Sequence, residues 1–386
     1  MSTQTRIPVA VLGATGMVGQ RFIELLQGHP WFELIGLAAS EQHRKQPYGQ
    51  VTRWRLGGEM PASVAALPVV PCRPDELPGV KIVFSALPAE VASEVEANFA
   101  RAGVAVFSNA KNYRMSPDVP LVVPEVNPDH LSAILQQRKT RDWPGFIVTN
   151  ANCSATPLVM ALKPLQAAFG LRKVMVTTMQ AISGAGYPGI PSYDILDNVI
   201  PFIGGEEEKL ESETQKMLGD WSESAGFTNA PVVVSAHCNR VATREGHLES
   251  ANVEFEREAG SEEVLEAWES FVGEPQRLNL PSAPERALIY RREPDRPQTL
   301  LDRDAGHGMS ATLGRLRRCP ILHYKFTLLG HNTIRGAAGG SLLNLSDIHF
   351  RAIRHAIPLK PGLQETPDLH QAARAQFRHA LTPDSQ

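Results

Sequence analysis

Three short polar settings in this sequence hold side chains able to do covalent chemistry. Cys153 stands in Asn152-Cys153-Ser154, between an apolar run that ends at Asn150 and an amphipathic stretch over 158–168. That order reads as strand, turn and helix start, with Ser154 as the cap. A thiolate at a helix start is favoured by the dipole and by nearby amides, which lowers the thiol's pKa toward neutrality. Cys72, Cys238 and Cys319 lack that frame and read as structural cysteines. A thiol nucleophile needs an acid or base beside it. His247 closes the run from Arg240, RVATREGH, between two β-type runs; taken alone it fits a hydrogen-bonded structural histidine equally well. Arg240 adds the fixed fork of donors that a substrate carboxylate requires.

A second kind of chemistry is binding of an anion. Gly13-Ala14-Thr15-Gly16-Met17-Val18-Gly19 follows the apolar run 8–12 and opens an amphipathic stretch. Glycines in such a turn let the backbone approach a pyrophosphate, and the helix-start amides bind it. Gly13, Thr15, Gly16, Met17 and Val18 are the expected cofactor contacts. The same glycine spacing also serves close helix–strand packing. At the end of the second β-type run stands Ser40, followed by Arg44 and Lys45, a set that suits the 2′-phosphate of NADP. Glu41 offers the carboxylate that NAD would use, and a solvated charge cluster has the same composition.

The elements that must position these residues change in texture along the chain. Up to 152, short β-type runs alternate with helical stretches such as 90–102, the pattern of a Rossmann-type, doubly wound parallel sheet. Beyond 153, longer β-type runs over 174–182, 232–237, 247–255 and 321–329, with helices over 206–218 and 262–271, suggest an α+β domain with a mainly antiparallel sheet. At 386 residues, two domains are the natural division. We expect a cofactor domain over 1–152, completed by a C-terminal helix within 332–358, a catalytic and oligomerisation domain over 153–331, and a loosely ordered tail over 359–386. A net charge of −3 gives no electrostatic case for nucleic acid or a membrane surface. No apolar run approaches the ~20 residues of a membrane span. Four scattered cysteines form neither a disulfide scaffold nor a CxxC metal pair, so a cytoplasmic, reducing compartment and no metal are expected.

The motifs GATGMVG (13–19), SALP (85–88), SNAKNYRM (108–115), NCSAT (152–156), CNRVATREGH (238–247) and HNTIRGAAGGS (331–341) occur in family order over nearly the whole chain. With them the sequence resembles the aspartate-semialdehyde dehydrogenases, closer to their archaeal and fungal branch. The resemblance implies reduction of an acyl phosphate to an aldehyde with NADP, in the biosynthesis of lysine, threonine, methionine and isoleucine. It implies Cys153 as nucleophile and His247 as acid/base, with Gln180 positioning the acyl group. Asn152 and the helix-start amides would hold the oxyanion, and Arg240 the α-carboxylate. Arg114 and Lys209 would bind phosphate, helped by Asn112, and Glu207 the substrate amino group. Ser85, Leu87, Asn109, Gly184, Gly186 and Asn332 resemble contacts around the nicotinamide and ribose. A homodimer or homotetramer is the family expectation. Between Arg240 and His247 this chain departs from the branch, with Ala242-Thr243 where Pro-Val is usual and with Arg244-Glu245 before the glycine. Archaeal malonyl-CoA reductase resembles the same branch and shares the cysteine chemistry, but needs no phosphate clamp. A dinucleotide sensor without turnover is the reading from another class, and it needs no cysteine at a helix start.

Overall fold

The computed structural model describes residues 6–356. The expected tail, and the end of the C-terminal segment expected over 332–358, lie outside the described residues.

The first sheet is built from β1 (Ile7–Leu12), β2 (Phe32–Ala39), β3 (Val69–Pro71), β4 (Ile82–Ser85), β5 (Ala105–Ser108), β6 (Leu121–Val122) and β7 (Phe146–Asn150). All pairings are parallel, in the order β3-β2-β1-β4-β5-β7-β6. Strands covered on both faces carry apolar residues throughout, and every residue of β4, β5 and β7 is buried. The chain order reverses between β1 and β4, the place where ligands of such sheets bind. The β-type run over 121–126 yields only β6, because Pro124 has no amide to continue the ladder.

A hairpin, β9 (Asp220–Ser222) and β10 (Gly226–Thr228), stands apart from the second sheet. That sheet holds β8 (Lys173–Gln180), β11 (Val233–Arg240), β12 (His247–Glu254), β13 (Leu288–Arg291), β14 (Ala311–Arg318) and β15 (Tyr324–Gly330), in the order β11-β8-β12-β15-β14-β13. Its central pairings are antiparallel and its two edge pairings, β11–β8 and β14–β13, are parallel, so the sheet is mixed. Along β8 and β11 every second residue is buried, against a core that includes Leu158, Leu162, Leu210 and Met217 of the helices Ala155–Phe169 and Glu206–Leu218. The alternate residues, Met175 and Val233 among them, face outward.

The expected C-terminal helix starts with a wider turn, Ile334–Ala338, and continues as Gly339–Ala356. Ala338, Leu342 and Leu345 pack into the core of the first sheet with Phe22, Phe84 and Phe146. A buried ion pair, Arg21 Nη2 to Glu245 Oε1 at 3.0 Å, ties the Met17–Leu26 helix to the loop before β12.

Candidate active site

β7 hands over to the Ala155–Phe169 helix through Asn152 and Cys153. Asn152, rather than the expected Ser154, caps this helix. Its Oδ1 accepts the amides of Ser154 at 2.8 Å and Ala155 at 3.2 Å. Ser154 is already helical, with φ −87 and ψ −38. Those two amides are therefore not available to an oxyanion. Asn152 itself is held on both sides, its amide donating to Glu213 Oε2 at 2.7 Å and its Nδ2 to Glu206 Oε1 at 2.8 Å.

Cys153 Sγ lies 3.2 Å from His247 Nε2. On its other side the Ile334–Ala338 turn comes so close that a Cβ on Gly336 would sit 2.7 Å from Cys153 Cβ, so glycine is required there. Burial pushes the thiol up to about 12, and Glu206 adds to it; Arg114 and Arg240 pull the other way. The lowered pKa expected from the helix start is thus reversed, because desolvation of the thiolate outweighs the dipole. Burial lowers the His247 imidazole to about 3, with Arg240 contributing. Both groups rest uncharged near neutral pH. Nδ1 of the ring accepts the Ala181 amide at 3.1 Å, so the ring's single proton sits on Nε2, aimed at the sulfur.

Arg240 and Gln180 are register partners at the ends of β11 and β8, and His247 opens β12 alongside. Arg240 Nη1 donates to the Ala181 carbonyl at 2.8 Å, and Gln180 Nε2 to Thr178 Oγ1 at 3.3 Å. A Cβ on Gly184 would lie 2.7 Å from Arg240 Nη1 and 3.1 Å from His247 Cε1. Gly184 therefore packs against the reacting pair, where a cofactor contact was expected.

The Glu206–Leu218 helix lays Glu206, Lys209, Glu213 and Lys216 along one side. Glu206 pairs with Lys209 at 2.9 Å, and Glu213 with Arg114 at 2.9 Å. Arg114 also donates to the Asn109 carbonyl at 2.8 Å. Lys216 donates to the carbonyls of Arg114, Ser116 and Val119 at 2.7, 3.0 and 3.0 Å, pinning the Arg114 loop to the helix. Although burial opposes it, Asn152 and Lys209 keep the Glu206 carboxyl below its ordinary value, hence charged. Glu207 turns to β11 and accepts the Cys238 amide at 2.9 Å, so Glu206 occupies the place expected of Glu207. Asn112 bonds Ala89 and Ser93 on an exposed face and is not brought to the site. Glu206, Glu213, Lys216 and Gly336 were not singled out from the sequence. A helical-wheel reading of EEEKLESETQK carries the signal for the first three.

At the reversal point of the first sheet, Gly13, Thr15, Gly16, Ser40 and Leu87 line a cavity of about 530 Å³. Gly13 has φ +75, and a Cβ on it would lie 2.6 Å from the Ala86 carbonyl oxygen, so the turn is a cradle that only glycine leaves open. The cationic side chain on the wall is Arg73, paired with Glu41 at 2.9 Å. Arg44 instead pairs with Glu76. Met17 and Gly186 line a second cavity of about 360 Å³ with Arg55, Tyr187 and Arg244. Several expected contacts support the walls from behind. Val18 packs on the first core. Ser85 is buried and donates to Glu96 Oε1 at 2.6 Å. Asn109 accepts from Asn150 Nδ2 at 3.2 Å, and Asn332 joins the Gly246 amide at 2.9 Å to Ser183 at 2.8 Å.

Known proteins are similar to this chain in sequence and fold. The model for the semialdehyde dehydrogenase NAD binding domain matches residues 8–134, and the model for the semialdehyde dehydrogenase dimerisation domain matches residues 162–335. The chain is 53% identical over 339 residues to aspartate-semialdehyde dehydrogenase of Archaeoglobus fulgidus, covering 88% of this chain and 97% of that one. It is 42% identical over 340 residues to malonyl CoA reductase (NADP) of Metallosphaera sedula, covering 87% and 95%. The crystal structure of aspartate semialdehyde dehydrogenase with NADP from Candida albicans superimposes with a TM-score of 0.82 at 40% identity, covering 89% of this chain and 98% of that one. A cysteine–histidine contact at a helix start, a glycine cradle and two family models in tandem lead to one conclusion: the chain belongs to the aspartate-semialdehyde dehydrogenase family.

Proposed function

We propose that this chain reduces L-aspartyl 4-phosphate to L-aspartate 4-semialdehyde with NADPH, through a thioester on Cys153. The observation that carries this is the 3.2 Å contact of Cys153 Sγ with His247 Nε2, in a site that also holds Arg114 and Lys209. Cys153 Sγ attacks the acyl carbonyl, and its proton departs with the phosphate, which leaves toward Arg114 and Lys209. The Cys153 amide and the Gln180 carboxamide take the acyl oxygen. Arg240 holds the α-carboxylate, and Glu206 the ammonium group. When bound, NADPH supplies the hydride that reduces the thioester to a hemithioacetal. His247 Nε2–H protonates the oxygen as the hydride arrives, and His247 takes that proton back as the C–S bond breaks, releasing the aldehyde and the Cys153 thiolate.

The residues present fit this cofactor: a glycine cradle at a helix start for the pyrophosphate, and Ser40 with Arg73 for the 2′-phosphate. In this reading the first 152 residues and the C-terminal helix form the cofactor domain, and 153–331 the catalytic domain. The enzyme is a cytoplasmic homodimer or homotetramer. No helix among the described residues is long and apolar enough to cross a membrane.

The test is phosphate-dependent NADP reduction with aspartate semialdehyde, which Cys153→Ala abolishes. The 42% identity to a malonyl CoA reductase makes malonyl-CoA the necessary control. Turnover of malonyl-CoA with none of aspartyl phosphate overturns the proposal.

A further inference from the structure

Beneath the residues assigned to the reaction runs a second polar row that the reaction leaves idle. The registers of β11, β8 and β12 set Cys238 opposite Thr178, and Thr178 opposite Glu249. Two residues further along each strand, on the same face, stand Arg240, Gln180 and His247. The next row inward, Ala236, Val176 and Ala251, is apolar and buried. Glu249 thus sits between the reacting row and the core.

Glu249 is 0% exposed, and neither of its carboxyl oxygens has a hydrogen-bond partner among the described residues. An isolated carboxylate is very costly in such a place, and the charge on Glu206 makes a second one costlier. Burial, reinforced by Glu206, raises its pKa well above the ordinary value, so the group rests as a neutral acid. A neutral carboxylic acid is a hydrogen-bond donor. The acceptor directly across the ladder is Thr178 Oγ1, which already receives Gln180 Nε2 at 3.3 Å. Cross-strand partners have Cβ atoms about 5 Å apart, within reach of a glutamic acid side chain.

We propose that Glu249 is a positioning residue: its buried carboxyl, without a partner in the resting structure, turns to Thr178 Oγ1 as the acyl group binds, and through Thr178 holds the Gln180 carboxamide toward Cys153. This assignment rests on the role given to Gln180 in the proposed reaction. An apolar residue of similar size fills the same space but leaves Thr178 and Gln180 unbraced.

The test compares full-length Glu249→Gln, Glu249→Leu and Thr178→Val with the wild-type enzyme, using whichever acyl donor the wild type turns over. A wild-type chain that turns over neither donor defeats the functional reading itself. Given an active wild type, Glu249→Gln keeps kcat within about threefold, with an unchanged pH profile, because the amide still donates. Glu249→Leu and Thr178→Val each lose about tenfold or more in kcat, with KM for the aldehyde within about twofold, the pattern of a misplaced acyl group. The double variant loses no more than either single one. Wild-type kcat in Glu249→Leu or in Thr178→Val overturns the proposal. So does a Glu249→Gln that falls as far as Glu249→Leu, because the carboxyl would then be acting through its charge. Should Glu249→Leu fail to fold and bind NADP, Thr178→Val and Glu249→Gln decide the matter alone.

Discussion

Successive helical residues point about 100° apart, so Glu206 and Glu207 look in different directions from the same turn. Glu206 meets Asn152 and Lys209 beside the nucleophile, while Glu207 meets only the flank of β11. Glu206→Gln should raise the KM for aspartate semialdehyde by about tenfold or more, the loss of one charged hydrogen bond. Glu207→Gln should stay within about twofold. The reverse ranking in steady-state kinetics would show that the carboxylates are misassigned. Glu96 poses a pH question at the same scale. Burial lifts its carboxyl to about 7, although Ser85 and Ser108 both donate to it. The folded chain then holds this proton more tightly than the unfolded chain, whose ordinary value is 4.5. Its contribution to stability is complete below that ordinary value and is lost as pH rises through about 7. The gap corresponds to about 3 kcal/mol. Urea unfolding across this window should show a shallower pH dependence for Glu96→Gln than for the wild type. Identical slopes would count against a buried proton at Glu96.

Among the elements, the Ile334–Ala338 turn makes the sharpest demand. Gly336→Ala adds a methyl where Cys153 leaves no room, and displacement of the nucleophile should cut kcat by about a hundredfold. Cofactor affinity, read by fluorescence titration, should hardly change. A fully active Gly336→Ala would mean that the turn yields freely. The sequence made Cys153, His247 and the glycine turn legible, because each is framed by neighbours along the chain: strand before, helix or strand after. β1, β2, β8, β12 and the Glu206–Leu218 helix were legible for the same reason, their periodicity being set by one buried face. Short edges were not. β3, β9 and β10 each span three residues, too few to show a period, while β14 ends in the outward-facing arginines of GRLRR. Glu213 and Lys216 stayed hidden because their partners, Arg114 and its loop, lie far away in sequence. Asn152 took the cap from Ser154 through bonds to Glu206 and Glu213 that only the tertiary fold supplies.

Across the whole molecule, Arg21 and Glu245 tie the two halves together by a buried ion pair, as Arg114 and Glu213 do. Removing Arg21 strands the Glu245 carboxylate, at a cost of about 3–5 kcal/mol, whereas Arg21 has Glu24 as a second partner. Arg21→Met should lower the unfolding free energy by that order, and adding Glu245→Leu should restore most of it. A double variant no more stable than Arg21→Met would mean that the pair contributes nothing on its own. The wall that Gly336 builds against Cys153 has a further consequence, in the order of synthesis. Along a growing chain Cys153 is made well before Gly336, and so before the wall that packs on it. Until the Ile334–Ala338 turn has emerged, Cys153 lacks the neighbour that Gly336 provides. The packed site therefore needs the Ile334–Ala338 turn, and a chain stopped before residue 334 should carry Cys153 but show no reductase activity.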